Sequence, residues 1–128
     1  MNLYNPAAVL LCLLVLSGCA ADQKEIRRQT SPNQKLFAVL MESVSGGPGG
    51  SLHGDIYLND QGLPLNLDKP VFSATGCDHL GFEWLNDYTL QIRYQTACTI
   101  GHFTNRWFRP SDIAAGHPNP IEIILIRG

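Results

Sequence analysis

Short apolar stretches, separated by proline and glycine, run through most of this 128-residue chain. Period-two alternation is typical of a half-buried strand, and a short continuous apolar run between turn residues is typical of a strand buried on both faces. No long helical period follows residue 18. The pattern therefore predicts a mainly β fold, a small antiparallel sheet or sandwich. Its predicted elements are strands at Lys35–Val44, Gly54–Asn59, Pro70–Ala74, Gly101–Arg109 and Ile121–Arg127, with a short helical turn at Ser111–Ala115.

The segment HLGFEWLNDYTLQIRYQ, residues 79–95, alternates on both sides of Asn86-Asp87 and predicts a β-hairpin. Opposite residues of a hairpin share a face, so the apolar positions fix the register. The pairs that satisfy this condition are Trp84 with Leu90, Phe82 with Ile92 and Leu80 with Tyr94. Polar residues at Glu83, Gln91 and Arg93 then point away from the core.

The first apolar run, Ala7–Leu16, has a different character. Ten residues are too short to cross a membrane as a helix, which takes about 20 residues, but they fit the apolar segment of a secretory signal. The residues Leu16-Ser17-Gly18-Cys19 that follow resemble the lipobox of bacterial lipoproteins. This resemblance implies that the signal helix, residues 1–18, is cleaved and that Cys19 is lipidated and becomes the new N-terminus.

The same resemblance implies a location. Asp directly after the lipidated cysteine commonly retains such lipoproteins in the inner membrane, and here that position is Ala20. The expected location is therefore the cell envelope, lipid-anchored in the outer membrane and facing the periplasm. Residues 19–30 are polar and are expected to be a lipidated tether. Residues 31–128 are expected to form a single β-rich domain.

Charge excludes one class of partner. The nine Lys and Arg and eleven Asp and Glu give a formal balance of 9 − 11 = −2, and all of them follow residue 18. The chain has no surplus of basic residues that would favour binding to nucleic acid. It also has no basic cluster that would add an electrostatic attraction to anionic lipid.

Removal of residues 1–18 would leave Cys77 and Cys98 as the cysteines besides Cys19. In an oxidising compartment such a pair favours a disulfide over a metal site. If the hairpin register is extended, Cys77 lies opposite Ala97 and Cys98 lies opposite Gly76. The two cysteines are then one residue out of register and point to opposite faces. A bond therefore requires a bulge at Gly76 or an end to the ladder. Two buried free thiols are the alternative.

Two stretches resemble hairpins of TolB-type and other β-propeller blades. In SPNQKLFAVL, a strand follows a turn of the SPDGK type, with Gln34 where the turn glycine usually stands. FEWLNDYTLQI is similar to a second such hairpin. A closed propeller needs at least about four blades of about 40 residues each, so this chain is too short to form one. The pattern is also similar to small bacterial lipoproteins of uncharacterised function.

A metal or hydrolytic site can be drawn from His53, Asp55, Asp78, His79 and His102. Such sites need convergent ligands and supporting contacts, and no HExxH or GxSxG motif provides them. We therefore expect no catalytic residue, no metal and no cofactor. The glycine-rich run at 43–54 lacks the Gly-Lys-Ser/Thr ending of a phosphate-binding loop and is expected to be a hairpin connection.

The segment NRWFRP, residues 105–110, is the strongest candidate for contact with a partner. Arg106, Trp107, Phe108 and Arg109 combine residue types that are enriched at interface hot spots. The alternative is ordinary packing, because alternation sends Phe103 and Trp107 to one face and Phe108 to the other.

These observations favour a non-enzymatic envelope lipoprotein that serves as a binding or structural module. Its partners would be the membrane, through the lipid on Cys19, and an envelope protein. A periplasmic inhibitor or immunity lipoprotein, directed against a toxin or lysozyme, is the alternative. A metal-dependent hydrolase is a remote third.

Overall fold

The computed structural model describes residues 23–45 and 50–128. This part of the chain forms nine strands and one short helix. In chain order they are β1 (Lys24–Thr30), β2 (Leu36–Ser45), β3 (Ser51–Asp60), β4 (Phe72–Thr75), β5 (Gly81–Asn86), β6 (Thr89–Tyr94), β7 (Thr99–Phe103), β8 (Arg106–Phe108), α1 (Pro110–Ala114) and β9 (Pro120–Arg127).

The strands form two sheets. Sheet A has the order β1-β2-β3-β4-β7 and sheet B has the order β5-β6-β9-β8. All pairs are antiparallel except β6 with β9, which run parallel. The predicted mainly β, antiparallel-rich fold is confirmed, and the short helical turn is present as α1.

One apolar core joins the two sheets. Sheet A contributes Leu40, Ile56 and Phe72, and sheet B contributes Leu90 and Ile92, all of them no more than 2% exposed. Burial of apolar surface between the two sheets is the dominant stabilising contribution in a small domain of this kind.

The continuous apolar run of β2 is buried on both faces, as predicted. Leu36, Ala38 and Leu40 face the main core, while Phe37, Val39 and Met41 face the opposite side of sheet A. On that outer side they form a second cluster with Tyr57, and Leu65 packs against it.

The predicted tether boundary needs correction, because Lys24–Thr30 form the edge strand β1. Apart from Ile26 its residues are polar, so the sequence carries no alternation to reveal a strand. The ladder with β2 holds the strand, and two cation–π contacts add to it. The guanidinium carbon of Arg27 lies 5.0 Å from the centre of the Phe82 ring, and that of Arg28 lies 4.4 Å from the centre of the Phe37 ring. The folded domain therefore includes residues that the sequence assigned to the tether.

The turn between β1 and β2 is the SPNQ segment. Ser31 donates its backbone N–H to Leu36 O, and its carbonyl accepts a hydrogen bond from Gln34 N. Gln34 has a φ of 62°, the left-handed conformation that favours glycine. The position where SPDGK turns carry glycine is thus the position that needs a positive φ.

The predicted strand at Gly101–Arg109 is in fact two strands. β7 pairs with β4 in sheet A, and β8 pairs with β9 in sheet B. Thr104, directly after the first strand, donates its N–H to Val71 O, and the chain then crosses between the sheets. Alternation cannot reveal such a crossing, because both strands contain aromatic and polar residues in similar order.

The predicted hairpin is present as β5–β6, with Phe82 opposite Ile92 and Trp84 opposite Leu90. The ladder begins at Gly81, so the predicted pairing of Leu80 with Tyr94 does not form part of it. A bulge follows Trp84, and Asn86 Oδ1 accepts a hydrogen bond from Tyr88 N in the turn.

Cys77 and Cys98 form a disulfide, with their Cα atoms 4.7 Å apart. Thr75 pairs with Thr99 at the end of the β4–β7 ladder, and Gly76 then leaves the ladder with a φ of 78°. Both cysteines therefore lie outside any ladder, which removes the one-step mismatch. The bond links two of the chain segments that pass between the sheets, the connection from β4 to β5 and the connection from β6 to β7.

Candidate functional site

Two adjoining clefts meet at Trp107. This residue lies in the middle of β8, opposite Ile121, and packs against the edge of the main core. The first cleft has a volume of about 520 Å³ and lies between Trp107, Pro110 and the loop that follows β3. The second has a volume of about 480 Å³ and extends from Trp107 to His102 and Thr104. We call the two together the Trp107 cleft.

The walls of the Trp107 cleft combine apolar surface with a few polar groups, as ligand sites usually do. Leu63 is 57% exposed at its rim. Asp68 and Lys69 line both parts of the cleft. The lining therefore offers an aromatic side chain, an exposed leucine, the ammonium of Lys69 and the carboxylate of Asp68, besides Asp60, which is paired with Arg109.

Asn59 holds the loop at 61–69 in place. It is buried at the end of β3, and its Nδ2 lies within hydrogen-bonding distance of the carbonyls of Asp60, Leu63 and Pro64, at 3.0, 3.2 and 3.3 Å. Its Oδ1 accepts a hydrogen bond from Asn66 N at 3.0 Å. One side chain thus replaces the backbone partners that an irregular loop lacks, which gives the cleft a defined wall.

An ion pair joins the two sides of the cleft. Asp60 is buried at the end of β3 and accepts a hydrogen bond from Arg109 Nε. Its other carboxylate oxygen accepts a hydrogen bond from Ser111 Oγ at 3.1 Å. Because a buried charge is tolerated only when it is paired, this contact fixes the segment between β8 and α1 against β3.

The four residues predicted to bind a partner have different environments. Trp107 lines the cleft, and Phe108 is 43% exposed next to it on β8. Arg106 is exposed and pairs across the sheet with Glu122. Arg109 is engaged within the protein by Asp60, so its role is to position the cleft.

A second polar cluster lies on the outer face of sheet A. Asp55, buried there, accepts hydrogen bonds from Ser73 Oγ and from Gln23 Nε2, the latter at 3.2 Å. His53 Nε2 lies 3.1 Å from Asp55 Oδ1, and His53 Nδ1 lies 3.1 Å from Thr75 Oγ1. His53 and Asp55, which the sequence placed on one strand face, are therefore in contact.

This chain of hydroxyl, imidazole and carboxylate is similar in order to a catalytic triad, but acyl transfer also needs donors for an oxyanion. The nearest backbone donor after Thr75 is Gly76 N, which is already bonded to Leu52 O at 2.9 Å. The contacts are accounted for by the requirement that a buried carboxylate be hydrogen-bonded.

Tyr57 adjoins this cluster. Burial raises the pKa of its phenol above the usual 10.0, a side-chain hydrogen bond with Gln23 opposes that shift, and the nearby charge of Asp55 adds to it. Gln23, the first described residue, is thus held against sheet A by Asp55 and Tyr57.

The other candidate ligands do not converge. His102 Nε2 lies 3.1 Å from Thr104 Oγ1, and Asp78 and His79 are exposed in the connection between β4 and β5. Within residues 23–45 and 50–128, no group of three or more His, Cys, Asp or Glu side chains is arranged to hold a metal ion. In the same part of the chain, no helix has the length and hydrophobicity to span a membrane.

Cys19 and the signal segment at 1–18 lie outside the described residues, as does part of the glycine-rich run, residues 46–49. The described flanks of that run are the ends of β2 and β3, which pair as a hairpin.

The sequence pattern did not reveal Asn59 and Asp60, which shape the Trp107 cleft. The available signal was two adjacent polar residues at the end of a strand followed by Gln-Gly and a proline-containing loop. The same signal is typical of an ordinary surface turn. It therefore does not distinguish buried polar residues that hold a loop in place from solvent-exposed ones.

The fold and the cleft define a small disulfide-linked domain of two facing sheets. Comparison with protein-family models, with curated proteins and with solved structures finds no match to the chain.

Proposed function

We propose that this protein is a lipid-anchored, non-enzymatic binding module of the bacterial cell envelope, and that the Trp107 cleft is the surface that contacts its protein partner. The observation that carries the proposal is the position of Trp107, where two clefts of about 520 and 480 Å³ adjoin. Tryptophan is among the residue types most enriched at binding hot spots.

Preorganisation of the cleft supports a binding role. Asn59 fixes the loop on one side, and the pair of Asp60 with Arg109 fixes the segment on the other. A surface that is already ordered loses less conformational entropy when a partner binds, so more of the contact energy contributes to affinity.

The position of the cleft relative to the tether supports presentation by a lipid. Lys24 at the start of β1 is opposite Glu42, which is opposite Gly54 of β3. Asp60 lies six residues further along β3, a distance of about 20 Å at 3.4 Å per residue. Cys19 precedes Gln23 by only four residues, a reach of about 14 Å. The lipid would therefore attach at one end of sheet A and leave the cleft at the other end open to a partner.

Photocrosslinking in intact cells tests the proposal. A benzophenone amino acid replaces Leu63 at the rim of the cleft, and in a matched variant it replaces Ile26, which is 46% exposed on β1. We expect a discrete protein adduct from position 63, which is lost when Trp107→Ala is added, and none from position 26. Equal adducts from both positions, or an adduct that persists without Trp107, would contradict the assigned surface.

The anchor has a separate test. Intact-mass measurement of the membrane-extracted protein is expected to give residues 19–128 plus acyl chains, and Cys19→Ser is expected to release the protein from the membrane fraction. A mass that retains residues 1–18 without acyl chains would contradict the anchor and leave the cleft to be tested by crosslinking.

A further inference from the structure

The two edges of sheet A differ in how they are protected from additional strands. β1 carries Lys24, Glu25, Arg27 and Arg28, has a bulge between Glu25 and Arg27, and its Gln29 carbonyl accepts a hydrogen bond from Trp84 Nε1 at 3.0 Å. Charges, bulges and side-chain cover are the devices by which proteins block an edge. β1 is therefore a closed edge.

β7, the other edge, has none of these charges. Its sequence is TIGHF, without Lys, Arg, Asp, Glu or Pro, and all five residues are exposed. Like β1, it has one bulge in the ladder with its neighbour, at Gly101, so the two edges differ in their charges and in their side-chain cover. An exposed edge strand presents a row of backbone N–H and C=O groups that another strand can pair with.

Among residues 23–45 and 50–128, no strand pairs with the other side of β7, and this free edge is continuous with the Trp107 cleft. His102 of β7 lines its second part together with Trp107. Ile100 and Phe103 are opposite Ala74 and Phe72 of the main core, yet each remains 37% exposed. A strand added beside β7 would cover the side chains of Ile100 and Phe103. It would also place one side chain of the added strand next to the Trp107 cleft.

A second copy of this chain does not fit the edge when both copies are anchored in one membrane. Antiparallel pairing of two β7 strands places a two-fold axis perpendicular to the sheet, which points the two Gln23 ends in opposite directions. A two-fold axis parallel to the strands keeps the two Gln23 ends together, but it turns the second sheet over. Ile100 and Phe103 of one copy would then lie on the same side as the outer face of the other copy's sheet A.

We infer that β7 pairs with an extended segment of a different polypeptide, which adds a sixth strand to sheet A and inserts an apolar side chain into the Trp107 cleft. This inference rests on the proposed function and names the form that its partner takes. Main-chain hydrogen bonds provide affinity in such strand addition, and pockets for alternate side chains provide specificity. The segment would carry apolar residues that contact Ile100 and Phe103.

Peptide selection followed by hydrogen exchange tests the inference. A phage-displayed library of random peptides, each about ten residues long and so sufficient for one strand, is selected on the full chain, and the strongest binder is synthesised. Amide exchange at Thr99–Phe103 is expected to slow about tenfold or more when the peptide is bound, whereas exchange at β1 stays unchanged.

A matched pair of variants provides the control. Ile100→Lys places a charge on the free edge and is expected to weaken peptide binding about tenfold or more, whereas Ile26→Lys on β1 is expected to change it less than about twofold. The hydrogen-exchange measurement uses the unaltered chain, so it tests strand addition even if one of the variants fails to fold.

The outcomes separate the inference from the proposed function. A peptide that protects the loop at 61–69 but leaves Thr99–Phe103 exchanging freely would overturn strand addition and leave the cleft as a binding site. A selection that yields no binder would also overturn strand addition. Failure of crosslinking from position 63 would count against the proposed function.

Discussion

Asp60 and Arg109 are 49 positions apart in the chain and are hydrogen-bonded across the Trp107 cleft. The contact joins the end of β3 in sheet A to the segment after β8 in sheet B. It therefore couples the stability of the domain to the shape of the cleft, and both can be measured with the same variants.

Replacement of Asp60 by asparagine removes the buried negative partner and leaves Arg109 only the longer contact of its Nη1 with Asp112 Oδ1, at 3.8 Å. The loss of one member of a fully buried pair costs about 3 to 5 kcal/mol, and because the Arg109 side chain is 23% exposed we expect about 2 to 3 kcal/mol. Urea unfolding measures the difference. Ser111→Ala removes one hydrogen bond to the same carboxylate and should cost about 1 kcal/mol. A smaller loss for Asp60→Asn than for Ser111→Ala would contradict a structural ion pair.

Asn59→Ala should loosen the wall of the cleft. The variant leaves three carbonyls and the Asn66 N–H without their side-chain partner, and we expect a loss of about 2 kcal/mol together with faster proteolysis within residues 61–69. Asn66→Ala is the matched control, because it keeps all four bonds of the Asn59 side chain and removes only the bond from Asp68 N to Asn66 Oδ1. Equal proteolysis of the two variants would mean that Asn59 does not organise the loop.

Local patterns were sufficient to predict much of this fold. The apolar run of β2 and the two-sided alternation of β5 and β6 indicate strands without reference to the rest of the chain, and the register of Phe82 with Ile92 follows from matching faces. Gly76 was also the correct place to expect an irregularity at the disulfide.

The missing elements depend on contacts between distant residues. β1 is stabilised by Arg27 on Phe82 and Arg28 on Phe37, which a polar sequence does not reveal. The crossing at Thr104 depends on the position of sheet B. Trp107 could be selected by residue type, but the partners that form its cleft come from loops whose shape the sequence does not fix.

Gln34→Gly should stabilise the turn between β1 and β2. Gln34 has a φ of 62°, which glycine adopts without the steric cost that a side chain carries. We expect a gain of about 0.5 to 1 kcal/mol, because this saving exceeds the larger entropy of glycine in the unfolded chain. Thermal unfolding provides the measurement. Lys35→Gly, at the next position, should destabilise the protein, and a loss of stability in both variants would contradict a left-handed residue at position 34.

Reduction of the Cys77–Cys98 bond should destabilise the domain without destroying the fold of either sheet. The bond spans 21 positions, and closure of a loop of this length contributes about 3 kcal/mol through the entropy of the unfolded chain. The measurement is urea unfolding with and without reductant. The Cys77→Ala/Cys98→Ala variant should match the reduced protein and be insensitive to reductant. A variant that stayed as stable as the oxidised protein would indicate that the bond adds little constraint.

Tyr57 should make the domain sensitive to alkaline pH. Its pKa is raised in the folded state, chiefly by burial and further by the charge of Asp55, whereas the unfolded chain releases the proton near 10.0. Above that pH the unfolded state binds fewer protons than the folded state, so the free energy of unfolding falls as pH rises towards the folded pKa. Stability should be constant with respect to this group below pH 10.0. Tyr57→Phe should flatten the alkaline loss in urea titrations, whereas Tyr88→Phe, at an exposed position, should leave it in place. An unchanged slope in Tyr57→Phe would mean that another group is responsible.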